Sequence, residues 1–372
     1  MDMERLMNTG LRDISTYVGG KPADEVSREY GVSDPVKMNS NENPIGVSPK
    51  ALQAAARILP GANIYPEGSN RVLREAIGER LGVDPECVIV GNGADEVIYY
   101  MAMAFTNDND EVIIPSLTFP IYEIAFKMMR ARIVSSEMDG FRIDLDALLS
   151  HVTGRTKMIV LCNPNNPTGH ALTKDEVSAF VREVPESVLV LMDEAYMEFA
   201  DQEEFPDSIG MWKQGRKNLF MVRTLSKAFG LAGFRVGFGI GAKEMISLMN
   251  RIKLPFNISI VSQHAAEGAL QDRRFLEETL ENTRRGREMI YKALESLGVS
   301  YVRSSTNFIL IDTGIDGDRM AEELMKRGVI VRSGKTYGTP TCIRVTVGTE
   351  KQNTRFIDEL TRVLEKGDCG NG

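Results

Sequence analysis

Thr224-Leu225-Ser226-Lys227-Ala228-Phe229-Gly230-Leu231-Ala232-Gly233-Phe234-Arg235-Val236-Gly237 follows directly on an apolar run that reads as a strand, and it sets one lysine among hydroxyls, glycines and an arginine. Lysine is the side chain that forms a Schiff base with a carbonyl compound, and in a crowded, partly desolvated setting its amine is more readily neutral and nucleophilic. Thr224, Ser226 and Arg235 have the character of a phosphate clamp. Taken alone, a Ser-Lys pair is better explained by a surface loop. Two further strand ends carry complementary parts.

Residues 187–192 (Ser-Val-Leu-Val-Leu-Met) read as a buried strand that stops on Asp193, followed by Glu194, Ala195 and Tyr196. A carboxylate there lies where open α/β sheets place their ligands, beyond the carboxyl ends of the strands. Residues 157–162 form another such strand and run into Asn163-Pro164-Asn165-Asn166-Pro167-Thr168-Gly169, whose prolines and glycine make a rigid turn that holds Asn166. A pyridoxal phosphate site needs a carboxylate beside the pyridine nitrogen, which Asp193 supplies. It also needs donors near the ring hydroxyl, and Asn166 and Tyr196 suit that need.

A short strand at residues 87–90 opens into Gly91-Asn92-Gly93-Ala94-Asp95-Glu96 ahead of a helix with Val97, Tyr100, Met101 and Ala104 on one face. Such a helix start offers N–H groups and a positive dipole end to a phosphate, although glycines between strand and helix also serve simply as a turn. It is not a dinucleotide fingerprint, because Glu96 stands where the last glycine belongs. Gly334-Lys335-Thr336 is not a nucleotide phosphate loop either, because Val329 occupies the position of its first glycine.

With these parts in view, the chain resembles the pyridoxal phosphate aminotransferases of fold type I, class I/II, nearly end to end. Within that group it most resembles the histidinol-phosphate aminotransferases. The resemblance is carried by residues 11–22 (with Gly19 where those proteins commonly have proline), Asn39-Ser40-Asn41-Glu42-Asn43-Pro44, Tyr65-Pro66, the asparagine turn, Asp193-Glu194-Ala195-Tyr196, the lysine loop and Arg344-Val345-Thr346-Val347-Gly348-Thr349.

The resemblance implies that Lys227 forms the Schiff base and shuttles the proton, that Asp193 pairs with the pyridinium, and that Asn166 and Tyr196 bond the ring hydroxyl. Phe119 matches the aromatic that stacks on the ring, although on its own it reads more readily as a core residue. Ala94, Asp95, Thr224, Ser226 and Arg235 would hold the phosphate, joined by a Tyr65 reaching over from a second subunit of a homodimer. Tyr17, Asn43, Arg332 and Arg344 are the implied substrate-binding residues. Arg344 lies among β-branched residues, where it meets either a substrate carboxylate or a buried structural partner. In the family it grips the α-carboxylate, while Arg332 takes either the donor's phosphate or the distal carboxylate of glutamate. Tyr17 on the amino-terminal arm would close over the phosphorylated end. The implied reaction is transamination between L-histidinol phosphate and 2-oxoglutarate, giving imidazole acetol phosphate and L-glutamate in histidine biosynthesis. A broad aromatic aminotransferase is the nearest rival, and a threonine-phosphate decarboxylase on the same scaffold is the next.

Composition agrees with a small-molecule enzyme. The 372 residues are 42% hydrophobic and carry a formal net charge of -8, which argues against nucleic acid or an anionic membrane as a main partner. Cys87, Cys162, Cys342 and Cys369 show no paired spacing and read as free thiols of a reducing cytoplasm. The 3 histidines are scattered, without metal-ligand spacing. The opening residues carry no signal-peptide pattern, and the apolar run at 97–105 is far too short to span a bilayer.

Strands and helices alternate from about residue 48 to 255, which predicts an α/β fold with a mainly parallel seven-stranded sheet covered by helices on both faces. Thr173-Lys174-Asp175-Glu176 has capping-box spacing. Residues 259–297 read as helix stopped by Gly298, leading into a smaller α/β domain with strands at 307–311, 329–332 and 342–347. The expected division is an amino-terminal arm at 1–43, a large cofactor-binding domain at 44–258, and a connecting helix with a small domain at 259–372.

Overall fold

The computed structural model describes residues 3–16 and 19–365. Tyr17 and Cys369 lie outside the described residues. Seven strands form the main sheet in the spatial order Val88–Asn92, Val236–Ile240, Leu219–Thr224, Leu189–Asp193, Thr156–Cys162, Glu111–Pro115 and Arg132–Ser136. All neighbours run parallel except Val236–Ile240, which is antiparallel to the strand on each side. The expected α/β architecture with a mainly parallel sheet is therefore present.

The reason lies in the continuous apolar runs. In a parallel sheet both faces are covered, so alternate residues enter two different cores. Val190 and Met192 join one with Ile159 and Leu161, whereas Leu191 joins the other with Met158 and Val160. The antiparallel strand is glycine-rich because the helix Gly93–Phe105 lies directly on it. A Cβ at Gly237 would stand 2.2 Å from the nitrogen of Ala94, and one at Gly239 would stand 2.8 Å from Val97 Cγ1 on that helix.

Helix ends follow local chemistry. Thr173 and Glu176 complete a capping box at the start of Lys174–Glu183. The 25-residue helix Arg273–Leu297 ends on Gly298 at φ 66°. Ahead of it, Ile260–Leu270 packs on Pro49–Ile58 and contributes Ala265, Ala266 and Ala269 to the core of the large sheet.

A second, antiparallel sheet has the order Ser300–Tyr301, Phe308–Asp312, Cys342–Thr346 and Arg332–Ser333. Helices Gly317–Lys326 and Glu350–Glu365 bury Met320, Leu324, Phe356 and Leu360 against it. The single strand expected at 329–332 is instead two short ones. Val329–Ile330 pairs in parallel with Val36–Lys37, while Arg332–Ser333 pairs with Cys342–Thr346. The apolar run continues through the break, but the hydrogen-bonding partner changes at Val331.

Contact between Ile260–Leu270 and Pro49–Ile58 depends on Gly268, where a Cβ would stand 2.6 Å from the carbonyl oxygen of Lys50. Gly268→Ala should therefore destabilise the fold by roughly 1–3 kcal/mol, as overpacking against main chain does, despite alanine's better helix propensity. Gly154→Ala, which meets nothing within 4 Å, serves as the control. Urea unfolding midpoints check this, and an unchanged midpoint for Gly268→Ala would show that the helix pair can separate without cost.

Candidate active site

Parallel strands that end side by side bring the loops after Thr156–Cys162, Leu189–Asp193 and Leu219–Thr224 to one edge of the sheet. They line a cavity of about 160 Å³, closed from the other side by Arg332, Tyr337 and Arg344 of the smaller sheet and by Asn39, Ser40 and Asn41.

The lysine loop is tightly held. Leu225 N donates to Val236 O at 3.0 Å, and Gly230, at φ 70°, sits where a Cβ would stand 2.3 Å from Gly46 O. Lys227 Nζ consequently points inward and donates to the carbonyl of Ser40 at 3.3 Å. Burial lowers its pKa to about 8, helped by the nearby Arg344 guanidinium.

Asp193 ends its strand buried. Tyr122 donates to its Oδ2 at 2.7 Å and the main-chain N–H of Ala195 to its Oδ1 at 3.0 Å. Burial outweighs both bonds and raises the carboxyl to about 6. Beneath it, Arg223 Nε donates to Glu194 Oε2 at 2.8 Å, a buried ion pair that locks the Asp193 strand to the lysine strand.

At the other end of the cavity, Arg235 occupies the left-handed region at φ 54° and reaches Asp95 Oδ2 at 3.3 Å and Ser226 Oγ at 3.5 Å. Its guanidinium fills the space above Gly93, where a Cβ would stand 2.4 Å away. Thr224, Ser226, Ala94 and Asp95 complete this notch at the start of Gly93–Phe105, where first-turn N–H groups are available to an anion. Glu96 folds back to accept from Asn92 N at 2.6 Å, so it serves the turn itself.

The asparagine turn is anchored by Asn165, which donates to Leu117 O at 2.9 Å and to Thr168 Oγ1 at 3.1 Å. Asn166 is left facing the cavity and accepts from Arg344 Nη1 at 2.5 Å. Arg344 also donates to Tyr337 Oη at 3.1 Å and Asn39 O at 3.1 Å, lies over the Phe308 and Tyr337 rings, and has no partner at Nε. Among the described residues no carboxylate pairs with this buried guanidinium. Arg332 lies directly across from it in strand register and lines the same cavity. Tyr196 accepts from Asn41 Nδ2 at 3.0 Å, and burial raises its phenol, which stays protonated. Phe119 meets Tyr122 edge to face, 6.1 Å between centroids.

Two sequence-predicted residues stand elsewhere in this chain. Asn43 donates to Ala228 O and Thr279 Oγ1 and accepts from Ile45 N, so its amide braces the back of the lysine loop. Tyr65 is 78% exposed and stacks on Phe256 at 4.6 Å, away from the cavity. Sequence reasoning missed Tyr122, Tyr337 and the individual roles of Asn39, Ser40 and Asn41. The one available signal for Tyr122 was its place three residues beyond Phe119, where it reads as helix core.

Comparison with known proteins gives a consistent answer. The family model "Aminotransferase class I and II" matches residues 33–360. The chain is 41% identical to a histidinol-phosphate aminotransferase of Moorella thermoacetica, over 95% of this chain and 92% of that one. It is 42% identical to histidinol-phosphate aminotransferase 2 of Carboxydothermus hydrogenoformans, over 97% and 99%. Among solved structures, it is similar to the histidinol-phosphate aminotransferase of Sinorhizobium meliloti in complex with pyridoxal-5'-phosphate, with a TM-score of 0.89 at 25% identity, over 97% of this chain and 98% of that one. Since the matched region runs through every strand end that lines the cavity, from Asn39 to Arg344, this chain belongs to the class I and II aminotransferase family.

Proposed function

We propose that this chain transfers an amino group reversibly between L-histidinol phosphate and 2-oxoglutarate, in histidine biosynthesis, with pyridoxal 5'-phosphate as cofactor. The observation that carries the reading is Lys227, a half-buried amine with its pKa lowered to about 8, in one cavity with the buried Asp193 carboxyl and the Arg235 notch at a helix start. The curated relatives aligned over nearly their whole length support the choice of substrate.

The residues present fit the cofactor. Bound there, pyridoxal phosphate supplies an aldehyde for Schiff-base chemistry and an electron-withdrawing ring. Arg235, Ser226, Thr224 and the first-turn N–H groups at Ala94 and Asp95 would hold its phosphate, and Phe119 would stack on its ring. Asp193, costly as an isolated charge, would face the ring nitrogen, with Asn166 and Tyr196 toward the ring hydroxyl. Lys227 Nζ would bond the aldehyde and then carry the proton at the reacting carbon. Arg344, fixed and without an internal carboxylate, suits the α-carboxylate of glutamate and 2-oxoglutarate. Arg332 suits the donor's phosphate or the acceptor's distal carboxylate.

The same reading includes a homodimer in which the partner subunit's Tyr65 completes the phosphate site. The exposed Ile64, Tyr65, Leu254 and Phe256 are in keeping with a covered face. It also includes a cytoplasmic location and the division into arm, large and small domains at residues 43 and 258. No described helix is long and apolar enough to cross a membrane.

The direct test is glutamate formation from 2-oxoglutarate with L-histidinol phosphate as donor. Lys227→Ala should abolish it. Equal handling of histidinol and its phosphate would favour a broad aromatic aminotransferase, and release of carbon dioxide would favour a decarboxylase.

Asp193 gives a pH test. In cofactor-free protein its carboxyl stands at about 6 rather than 3.8, so its stabilising neutral form is fully present below 3.8 and lost as pH rises through 6. That gap corresponds to on the order of 3 kcal/mol. Asp193→Asn should therefore be the more stable cofactor-free protein above pH 6 while losing turnover by roughly 10²–10³. Chemical denaturation across this range checks it; a wild type as stable as the variant above pH 6 would mean that another group compensates the charge.

The two arginines should divide the work. Losing a charge-assisted contact to a carboxylate or phosphate costs about 2–5 kcal/mol. Arg344→Ala should injure the 2-oxoglutarate half-reaction far more than the histidinol phosphate one, which has no carboxylate to lose. Arg332→Ala should injure both. Single-turnover measurements of each half-reaction separate these outcomes, and equal damage to both from Arg344→Ala would refute the division.

A further inference from the structure

Three consecutive residues, Asn39-Ser40-Asn41, run across the cavity and touch three of its ionisable side chains. The Asn39 carbonyl accepts from Arg344 Nη2 at 3.1 Å, and the Ser40 carbonyl accepts from Lys227 Nζ at 3.3 Å. Asn41 donates from Nδ2 to Tyr196 Oη at 3.0 Å. Asn41 has φ 55°, a left-handed conformation that asparagine tolerates better than most residues with a Cβ. Its carbonyl accepts from Asn307 Nδ2 at 3.0 Å, which holds the segment against the smaller sheet.

The direction of each hydrogen bond at Asn41 follows from the one before. The main-chain N–H can only donate, and it does so to Thr346 Oγ1 at 2.9 Å. Thr346 then has its own hydroxyl proton to give, and Asn41 Oδ1 lies 3.3 Å away. With its oxygen so engaged, the amide turns its NH₂ to Tyr196. A phenol oxygen that accepts on that side must aim its own proton elsewhere. The Phe308 ring stands perpendicular to the Tyr196 ring, 5.1 Å between centroids, and Tyr196 lines the cavity together with Lys227 and Asn166.

From this chain of bonds we infer that Asn41 is a positioning residue: it fixes the direction in which the Tyr196 hydroxyl donates, so that the proton points at a ligand oxygen in the cavity. The inference rests on the reading of that cavity as a pyridoxal phosphate site. Asn41 touches no reacting atom in this role and acts through Tyr196 alone. The relay also makes the donor geometry of the large sheet depend on Thr346 and Asn307 of the smaller one.

The test is a double-mutant cycle on the dissociation constant for pyridoxal 5'-phosphate, measured with cofactor-stripped full-length protein. Asn41→Gly keeps the left-handed backbone and removes the donor. Asn41→Asp keeps the acceptor for Thr346 and presents an acceptor to the phenol, while its added charge acts in both backgrounds and cancels in the cycle. Each is made in wild type and in Tyr196→Phe. Beside Tyr196, each should weaken binding by about fivefold, the scale of one hydrogen bond. In the Tyr196→Phe background, Asn41→Gly should weaken it by less than about twofold, because no hydroxyl is left to direct. Equal losses in the two backgrounds would overturn the inference. Thermal unfolding of the stripped proteins checks the fold, and Asn41→Gly alone closes the cycle should Asn41→Asp not fold. A wild type that binds no pyridoxal phosphate overturns the functional reading itself, and this inference falls with it.

Discussion

Asp193 is buried and Lys227 half-buried at the same cavity, and desolvation pushes each toward its neutral form, the amine down to about 8 and the carboxyl up to about 6. Their surroundings moderate that cost without removing it. Asp193 accepts from Tyr122 and Ala195, and Lys227 finds one carbonyl, while Arg344 works against its charge. A ligand that brings a ring proton to the carboxyl and an aldehyde to the amine offsets both costs at once. The parallel sheet supports such burial, since strands covered on both faces end side by side with their last residues still in the interior. The Glu194–Arg223 pair then fixes two of those ends relative to each other.

The cavity also needs the second sheet. Arg344 extends from Cys342–Thr346 to Asn166 at 2.5 Å, and the segment at 39–41 bonds to both sides of the seam. Val36–Lys37 pairs with Val329–Ile330, so the chain enters the seam already anchored to the smaller sheet. Any shift of one sheet against the other must therefore move Arg344, the Ser40 carbonyl and the Asn41 amide together. The polar groups that meet a ligand are thus coupled to the packing of two separate cores.

Much of this was legible in the sequence where the determinants are local. The capping box at Thr173, the stop at Gly298 and the strand ends at Cys162, Asp193 and Thr224 each depend on a few neighbouring residues, and the structure has them. Partners distant in sequence were not legible. Tyr122 occupies an apolar helix position with Ala125 and Phe126, and nothing near it announces a carboxylate at residue 193. Asn41 finds its partners at residues 196 and 346, whereas Asn43, two positions later in the same motif, turns to the back of the lysine loop. The change of strand partner at Val331 was invisible for the same reason, since the apolar pattern runs on while the hydrogen bonding does not.

Arg332 and Arg344 stand opposite each other on adjacent strands, and both line the cavity. Their surroundings differ in a way that suits unlike substrates. Arg344 is buried, held by Asn166, Tyr337 and Asn39, and sandwiched by aromatic rings, so its position is set before any ligand arrives. Arg332 is half-buried in a two-residue strand and borders a second cleft with Gly20, Lys21 and Tyr30. A fixed cation suits the carboxylate beside the reacting carbon of glutamate and 2-oxoglutarate, a group that histidinol phosphate lacks. A cation next to open space suits the end of the substrate that differs, a phosphate in one half-reaction and a distal carboxylate in the other. Under the proposed function, the two substrates then differ at both arginines: Arg344 meets a carboxylate in one half-reaction only, while Arg332 meets a phosphate in one and a distal carboxylate in the other.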